Sequence, residues 1–87
     1  MVEIHYDHEF EKQVAKLEPR LRTKLAQQLE RITENPYDPR LHSKPLSEPF
    51  AGALSFRITR DWRVTYHFQS AVIIRLLEVK HRKDIYR

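Results

Sequence analysis

The sequence predicts an α+β fold, in which a short strand, two helices and three antiparallel strands follow one another in a single domain over residues 1–87. Apolar residues recur at helical spacing between Phe10 and Ile32, whereas residues 53–80 alternate or run continuously apolar, as strands do. With 87 residues, the chain is long enough for one small core. We expect the helices to form an antiparallel hairpin that backs one face of the sheet.

The first third of the chain contains the predicted strand and helical hairpin. Residues 2–6 alternate as a strand does, and Asp7 is a suitable N-cap for the helix that follows. Pro19 ends that helix and suits the first turn of the next one, which should end at Asn35-Pro36. The apolar side chains of the inner face are Phe10, Val14 and Leu17 in the first helix and Leu21, Leu25, Leu29 and Ile32 in the second.

The remaining strands are predicted over residues 53–59, 62–69 and 71–80, after a proline-rich connector over 35–52. The third of these strands is almost continuously apolar, which is typical of a strand that is covered on both faces. We therefore expect it to lie centrally in the sheet.

The hairpin formed by the first two of these strands has two chemically different faces. Even-numbered positions are apolar (Phe56, Ile58, Trp62, Val64, Tyr66 and Phe68), and odd-numbered positions are cationic or hydrogen-bonding (Arg57, Thr59, Arg63, Thr65 and His67). Only a connection of odd length keeps both faces uniform, and a three-residue turn over 60–62 would pair Thr59 with Arg63. The odd-numbered face would then be an open surface on the side away from the helices.

Positive charge is concentrated in the same part of the chain. Residues 57–87 contain eight Lys/Arg and three Asp/Glu, whereas residues 1–56 carry a net charge of −1. Arginine binds phosphate oxygens through two parallel N–H donors, so Arg57 and Arg63 suit a phosphate-bearing ligand such as a nucleic acid. The alternative interpretation is a solvated basic face of the sheet.

The C-terminal segment adds groups of the same kind. Arg82 supplies a further cation, Tyr86 a ring that can stack on a base, and His67 and His81 can exchange protons near neutral pH. The further candidates for substrate binding are Lys44, Thr59, Arg60, Thr65, Lys80 and Lys83. The alternative is a basic C-terminus in which Tyr86 only covers the core.

The composition excludes several classes of protein. The chain has no cysteine, and its histidines and carboxylates lack a convincing metal-ligand spacing. It has neither a glycine-rich phosphate loop nor a serine-elbow motif, so we expect no metal and no cofactor. No apolar run reaches the roughly 20 residues that span a bilayer, and the N-terminal residues lack the features of a signal peptide. We therefore expect a cytoplasmic protein that does not contact a membrane.

Four blocks of sequence resemble the RelE/ParE superfamily of toxins from type II toxin–antitoxin systems. They are residues 44–46 (KPL), 53–58 (ALSFRI), 61–66 (DWRVTY) and 81–86 (HRKDIY), and their order and spacing extend over nearly the whole chain. The resemblance implies a RelE-like β-α-α-β-β-β fold, with an antiparallel sheet backed by an N-terminal helical hairpin. RelE-like members cut mRNA on the ribosome, whereas ParE-like members inhibit DNA gyrase and lack the catalytic residues.

The resemblance also implies roles for individual residues. Arg63 resembles the arginine that stabilises the transferring phosphate, Arg82 the C-terminal arginine that assists it, and Tyr86 the aromatic residue that stacks on the substrate. Arg57 and Thr59 stand where RelE has lysines. Because threonine cannot act as a base, the candidates for proton transfer are His67, His81 and Glu78.

The implied reaction is attack of the ribose 2′-OH on the adjacent phosphate, without a metal. The implied partners are a cognate, RelB-like antitoxin protein and mRNA on the ribosome. The arginines and Tyr86 favour a ribosome-dependent endoribonuclease over a gyrase inhibitor, and a purely partner-binding module comes third. Loss of Arg63 is expected to leave folding nearly unchanged and to remove most of the cleavage.

Overall fold

The computed structural model describes residues 1–46 and 52–85, which form a helical hairpin, a five-stranded sheet and a short C-terminal helix. In chain order the elements are β1 (Glu3–Tyr6), α1 (His8–Ala15), α2 (Pro19–Glu34), a 3₁₀ helix (Pro39–Leu41), β2 (Lys44–Pro45), β3 (Leu54–Arg57), β4 (Trp62–Ser70), β5 (Ile73–His81) and α3 (Arg82–Ile85). The predicted α+β class is confirmed, with β2, the 3₁₀ helix and α3 in addition. Among the described residues, no helix has the length and apolar composition needed to cross a membrane.

The strand order is β1-β5-β4-β3-β2, so the first strand lies beside the last one. β1 runs parallel to β5, with Ile4 opposite Ile74, and the other neighbouring strands are antiparallel. The sheet is therefore mixed, which differs from the antiparallel sheet that was expected, because alternation along a strand carries no information about its direction. β5 has a neighbour on each side, as its apolar composition predicted, and β4 occupies the middle position.

The core lies between the helical hairpin and the even-numbered face of β4. Phe56, Val64 and Tyr66 of the sheet are almost completely buried, as are Leu25 and Ile32 of α2. The hydrophobic residues that the sequence placed on the inner face thus form one continuous cluster with the helices. This packing leaves the opposite, odd-numbered face of the sheet for polar side chains.

A side chain of α1 supports the end of β5. β1 pairs with β5 only as far as Leu76, so the next part of β5 has no strand on that side. There the amide of Val79 donates to Oε1 of Gln13 at 2.6 Å. The Gln13 side chain thus replaces the missing strand and holds the end of β5, from which His81 and Arg82 follow.

The hairpin between β3 and β4 has the predicted pattern of faces but a different register. Arg57 lies opposite Arg63, whereas the predicted three-residue turn would have placed Thr59 there. The amides of Ile58 and Thr59 both donate to the carbonyl of Trp62, at 2.8 and 3.2 Å. Because the turn closes on this shared acceptor, Thr59 belongs to the turn and not to the strand. The connection is odd in length, as predicted, but two residues longer.

Candidate functional site

Five cationic side chains meet at one open cleft of about 370 Å³, called here the cationic cleft. Lys44 comes from β2, Arg57 from the end of β3, Arg60 from the hairpin turn, Arg63 from the start of β4 and Arg82 from the start of α3. Every described residue that lines this cleft is therefore a lysine or an arginine. A concave surface of this kind attracts phosphate groups.

The sheet register and one backbone hydrogen bond bring these residues together. Arg57 and Arg63 lie directly opposite each other in the β3–β4 ladder, so their side chains leave the sheet on the same face. The amide of Arg82 donates to the carbonyl of Asp61 at 2.6 Å, which ties α3 to the turn that carries Arg60. Arg57, Arg63 and Arg82, which the sequence predicts as one set, all line the cationic cleft.

Arg63 is buried, which differs from the open face that was predicted for it. Only 3% of the residue is exposed. Its Nε donates to Oγ of Ser55 at 2.9 Å, and its Nη2 donates to the carbonyls of His42 at 2.6 Å and Ser55 at 3.3 Å. Alternation separates the two faces of a strand but does not show whether another segment covers one of them. Loss of these bonds would disturb folding, contrary to the expectation that replacing Arg63 is nearly silent.

Arg57 is held through its backbone more than through its guanidinium. Its carbonyl accepts a hydrogen bond from Nε2 of Gln28 at 2.6 Å, and its side chain is half-buried. Within residues 1–46 and 52–85, Arg57 Nε and His67 Nε2 are the buried side-chain nitrogens that lack a hydrogen-bond partner. With few acceptors from the protein, the guanidinium of Arg57 is better suited to bind an external anion than that of Arg63.

A second cleft, of about 530 Å³, adjoins the first and is lined by Asp61, His81, Arg82 and Lys83. Arg82 lines both. Nδ1 of His81 accepts a hydrogen bond from the amide of Lys83 at 3.2 Å, which places the proton of the neutral ring on Nε2. The imidazole stands edge-on to the ring of Trp62, with centroids 5.1 Å apart. A proton-carrying nitrogen is therefore fixed beside the arginines.

Lys83 lines only the second cleft, and three other predicted binding residues line neither. Thr65 is buried in β4, and Thr59 Oγ accepts the amide of Asp61 at 3.3 Å within the turn. Lys80 lies opposite Arg63, but its Nζ is directed to Oε2 of Glu78, 3.8 Å away. Thr65 and Thr59 therefore have structural contacts, and Lys80 borders the cleft without entering it.

His67 is separated from the arginines. It lies opposite Arg75 and four residues beyond Arg63 along β4, a distance of about 13 Å at the usual rise of a strand. The structure therefore brings His81 to the arginines and leaves His67 apart from them. Tyr86, the remaining candidate, lies outside the described residues.

Sequence reasoning missed three residues that organise the cationic cleft: Gln28, His42 and Ser55. Ser55 has the same parity as Arg57, and this pattern could have placed it on the arginine face. Gln28 falls on the inner face of α2, three residues after Leu25, where a polar side chain indicates a buried hydrogen bond. His42 has a left-handed backbone with φ of 48°, and no sequence pattern reveals where its carbonyl points.

Comparisons with known proteins agree with this architecture. A family model described as the ParE toxin of type II toxin–antitoxin system, parDE, matches residues 4–86. No match was found among curated proteins. Among solved structures, YafQ from E. coli strain BL21(DE3) is similar with a TM-score of 0.80 and 19% identity, over 100% of both chains.

Two solved toxin–antitoxin complexes are also similar. The RelBE2 complex from Mycobacterium tuberculosis matches with a TM-score of 0.70 and 26% identity, over 93% of this chain and 98% of that one. The YoeB–YefM complex from Staphylococcus aureus matches with a TM-score of 0.75 and 16% identity, over 93% and 97%. The RelE-like fold and the superfamily resemblance predicted from the sequence are thereby confirmed, and because the family model covers nearly the whole chain, this protein belongs to the ParE toxin family of type II toxin–antitoxin systems.

Proposed function

We propose that this toxin is an endoribonuclease that cleaves mRNA on the ribosome by metal-free attack of a ribose 2′-OH on the adjacent phosphate. The cationic cleft is the observation that carries the proposal, because arginines from three separate elements converge on one point. The similarity to the RelBE2 complex supports a RelB-like antitoxin as the cellular partner. The reaction would take place in the cytoplasm, where translated message is found.

In this reaction a bond forms between the 2′ oxygen and phosphorus, and the bond from phosphorus to the 5′ oxygen breaks. The products are a 2′,3′-cyclic phosphate and a 5′-OH end. Negative charge grows on the phosphate oxygens in the transition state, where positioned cations have their largest effect. Arg57 and Arg82 would bind these oxygens, and Lys44 and Arg60 would bind neighbouring phosphates of the strand.

Two protons move during cleavage. His81 in its protonated, imidazolium form would give a ring proton to the departing 5′ oxygen and be left as neutral imidazole, since Arg82 beside it lines both clefts. For the 2′-OH proton, Glu78 is better placed than His67. Glu78 pairs with Lys80, which lies opposite Arg63, whereas His67 lies farther along the sheet.

The proposal is tested by brief induction of the protein, followed by measurement of translation and mapping of message 5′ ends. The native protein should stop translation and create new 5′ ends within translated message. Arg57→Ala and Arg82→Ala should each lower the cleavage rate by about 10²–10³, the usual effect of removing one group that stabilises transition-state charge. Arg20→Ala is the matched control, because Arg20 is an exposed arginine of α2 that does not line the cleft.

The second candidate function is inhibition of DNA gyrase, which the description of the family as ParE toxins favours. A gyrase inhibitor would cause DNA damage while translation at first continues. New message ends without early DNA damage support the nuclease. If the protein instead damages DNA and leaves message intact, and if Arg57→Ala and Arg82→Ala do not reduce that damage, the nuclease proposal is wrong and the protein is a gyrase inhibitor.

A further inference from the structure

We propose that Arg63 is a positioning residue of the cationic cleft: its guanidinium fixes the backbone of residues 42–44 and thereby determines where Lys44 meets the substrate. The role rests on the proposed function, because it concerns the same cleft. It differs from the phosphate contact that the family resemblance implies for Arg63.

The hydrogen bonds of Arg63 connect three parts of the chain. From β4, its Nε reaches Oγ of Ser55 in β3 at 2.9 Å, and its Nη2 reaches the carbonyl of His42 in the connector at 2.6 Å. A guanidinium is planar and directs its donors at fixed angles, so both acceptors must keep their positions relative to β4. Lysine carries the same charge but cannot make this pair of bonds.

The segment that Arg63 holds needs support. His42 is the non-glycine residue with a positive φ, 48°, among those described, and this backbone conformation is unfavourable for a residue with a Cβ atom. On the other side of the sheet, the hydroxyl of Tyr66 donates to Oγ of Ser43 at 3.2 Å. Side chains from both faces of β4 thus form hydrogen bonds with the connector. The next residue, Lys44, begins β2 and lines the cleft.

The burial of Arg63 supports a role that acts through the protein. It is 3% exposed, whereas Arg57 is half-buried and Arg60 and Arg82 are exposed. A substrate phosphate therefore meets the other arginines first. Arg63 contributes to the cleft by fixing the backbone position of the segment that carries Lys44.

The decisive experiment is a double-mutant cycle on cleavage of message bound to ribosomes, with Lys44→Ala measured in the native and Arg63→Lys backgrounds. Lys44→Ala should raise KM about tenfold in the native background, as expected for one charge-assisted contact. In the Arg63→Lys background it should change KM less than about twofold, because Lys44 is already displaced. If the two substitutions multiply their effects, Arg63 acts at the phosphate independently and the proposal is wrong.

A second measurement remains informative if Arg63→Lys does not fold or if the native protein does not cleave RNA. Ser55→Ala removes one acceptor of Arg63 without touching the cleft lining. It should speed amide hydrogen exchange at His42 and Leu46, the hydrogen-bonded amides on either side of Lys44. Unchanged exchange there would overturn the positioning role, whatever the toxin acts on.

Arg75→Lys is the matched control for both measurements. Arg75 is also a sheet arginine whose Nε bonds a side chain, Asp7 Oδ1 at 2.6 Å, but it does not line the cationic cleft. It should leave KM and the exchange of His42 and Leu46 within about twofold of the native values. If Arg75→Lys and Ser55→Ala speed amide exchange at His42 and Leu46 equally, the substitutions destabilise the sheet as a whole. That result would also overturn the proposal.

Discussion

Gln28 joins three segments through one side-chain amide. Its Nε2 donates to the carbonyls of Arg57 at 2.6 Å and Arg40 at 3.0 Å, and its Oε1 accepts from Arg31 at 2.8 Å. The residue is 5% exposed, so its side-chain amide is largely shielded from water. Gln28 therefore fixes the backbone at the end of β3, from which Arg57 enters the cleft.

Replacing Gln28 by alanine leaves two carbonyls without their donor. We expect the free energy of unfolding to fall by about 1–3 kcal/mol, the cost of unsatisfied buried groups. Urea unfolding followed by circular dichroism measures this difference. Gln27→Ala, at an exposed neighbouring position, is the control and should change stability by less than about 0.5 kcal/mol. Equal effects of the two substitutions would contradict this account of Gln28.

Asp38 makes the stability of the connector depend on pH. The side-chain hydrogen bonds from Arg40, together with its backbone amide, lower the pKa of Asp38 from 3.8 to about 2. Because the folded value is below the unfolded one, this stabilisation is complete above about pH 4 and is lost as the pH falls towards 2.

Asp38→Asn should therefore lose stability relative to the native protein at pH 5, and the difference should shrink between pH 4 and pH 2. Unfolding curves recorded across this range measure the effect. The exposed carboxylate of Asp84 provides the control substitution, Asp84→Asn. If the difference in the free energy of unfolding between the native protein and Asp38→Asn does not depend on pH, the ion pair with Arg40 is not the source of the pH dependence.

At the level of elements, the sequence determined helices more completely than strand pairing. α2 begins at Pro19 and ends at Glu34, as predicted, because proline and the Asn35-Pro36 pair are local terminators. The β3–β4 register could not be read in the same way. Several odd-length turns satisfy the alternation, and only the shared carbonyl of Trp62 selects the observed one.

α2 contributes Leu25 and Ile32 to the buried core. Leu25 is 2% exposed and packs into the core between the helices and the sheet. Leu25→Ala should lower the free energy of unfolding by about 2–5 kcal/mol, through lost apolar contacts and the cavity that remains. Thermal unfolding measures this loss as a lower Tm, and Lys24→Ala, on the exposed side of the same helix, should leave Tm almost unchanged.

For the whole molecule, the sequence predicted which cations converge but not how each is held. Parity was enough to name Arg57 and Arg63, because strand pairing brings residues of one parity to one face. Arg82 was named as a cation of the C-terminal segment that follows the last predicted strand. The burial of Arg63 depends on the connector, which presents the His42 carbonyl to its guanidinium. Such a contact joins segments far apart in sequence and leaves no periodic pattern.

The concentration of charge in one cleft predicts that the proposed binding of RNA depends strongly on salt concentration. For single-stranded RNA, the logarithm of the binding constant falls with the logarithm of salt concentration by about 0.7 per phosphate contacted. Arg60→Ala should therefore reduce the slope by about 0.7, measured with an RNA that carries a 2′-deoxy nucleotide at the cleavage site. Arg20→Ala should leave this slope unchanged. If Arg60→Ala also leaves it unchanged, the RNA does not bind at the cationic cleft.

The parallel pairing of β1 with β5 joins two strands that are synthesised at different times. β1 is synthesised before its partner β5, which follows all the other described strands, and Arg82 follows that partner directly. Contacts between such distant segments form slowly and only after both exist. A nascent chain that stops short of β5 therefore has neither the complete sheet nor the assembled cationic cleft.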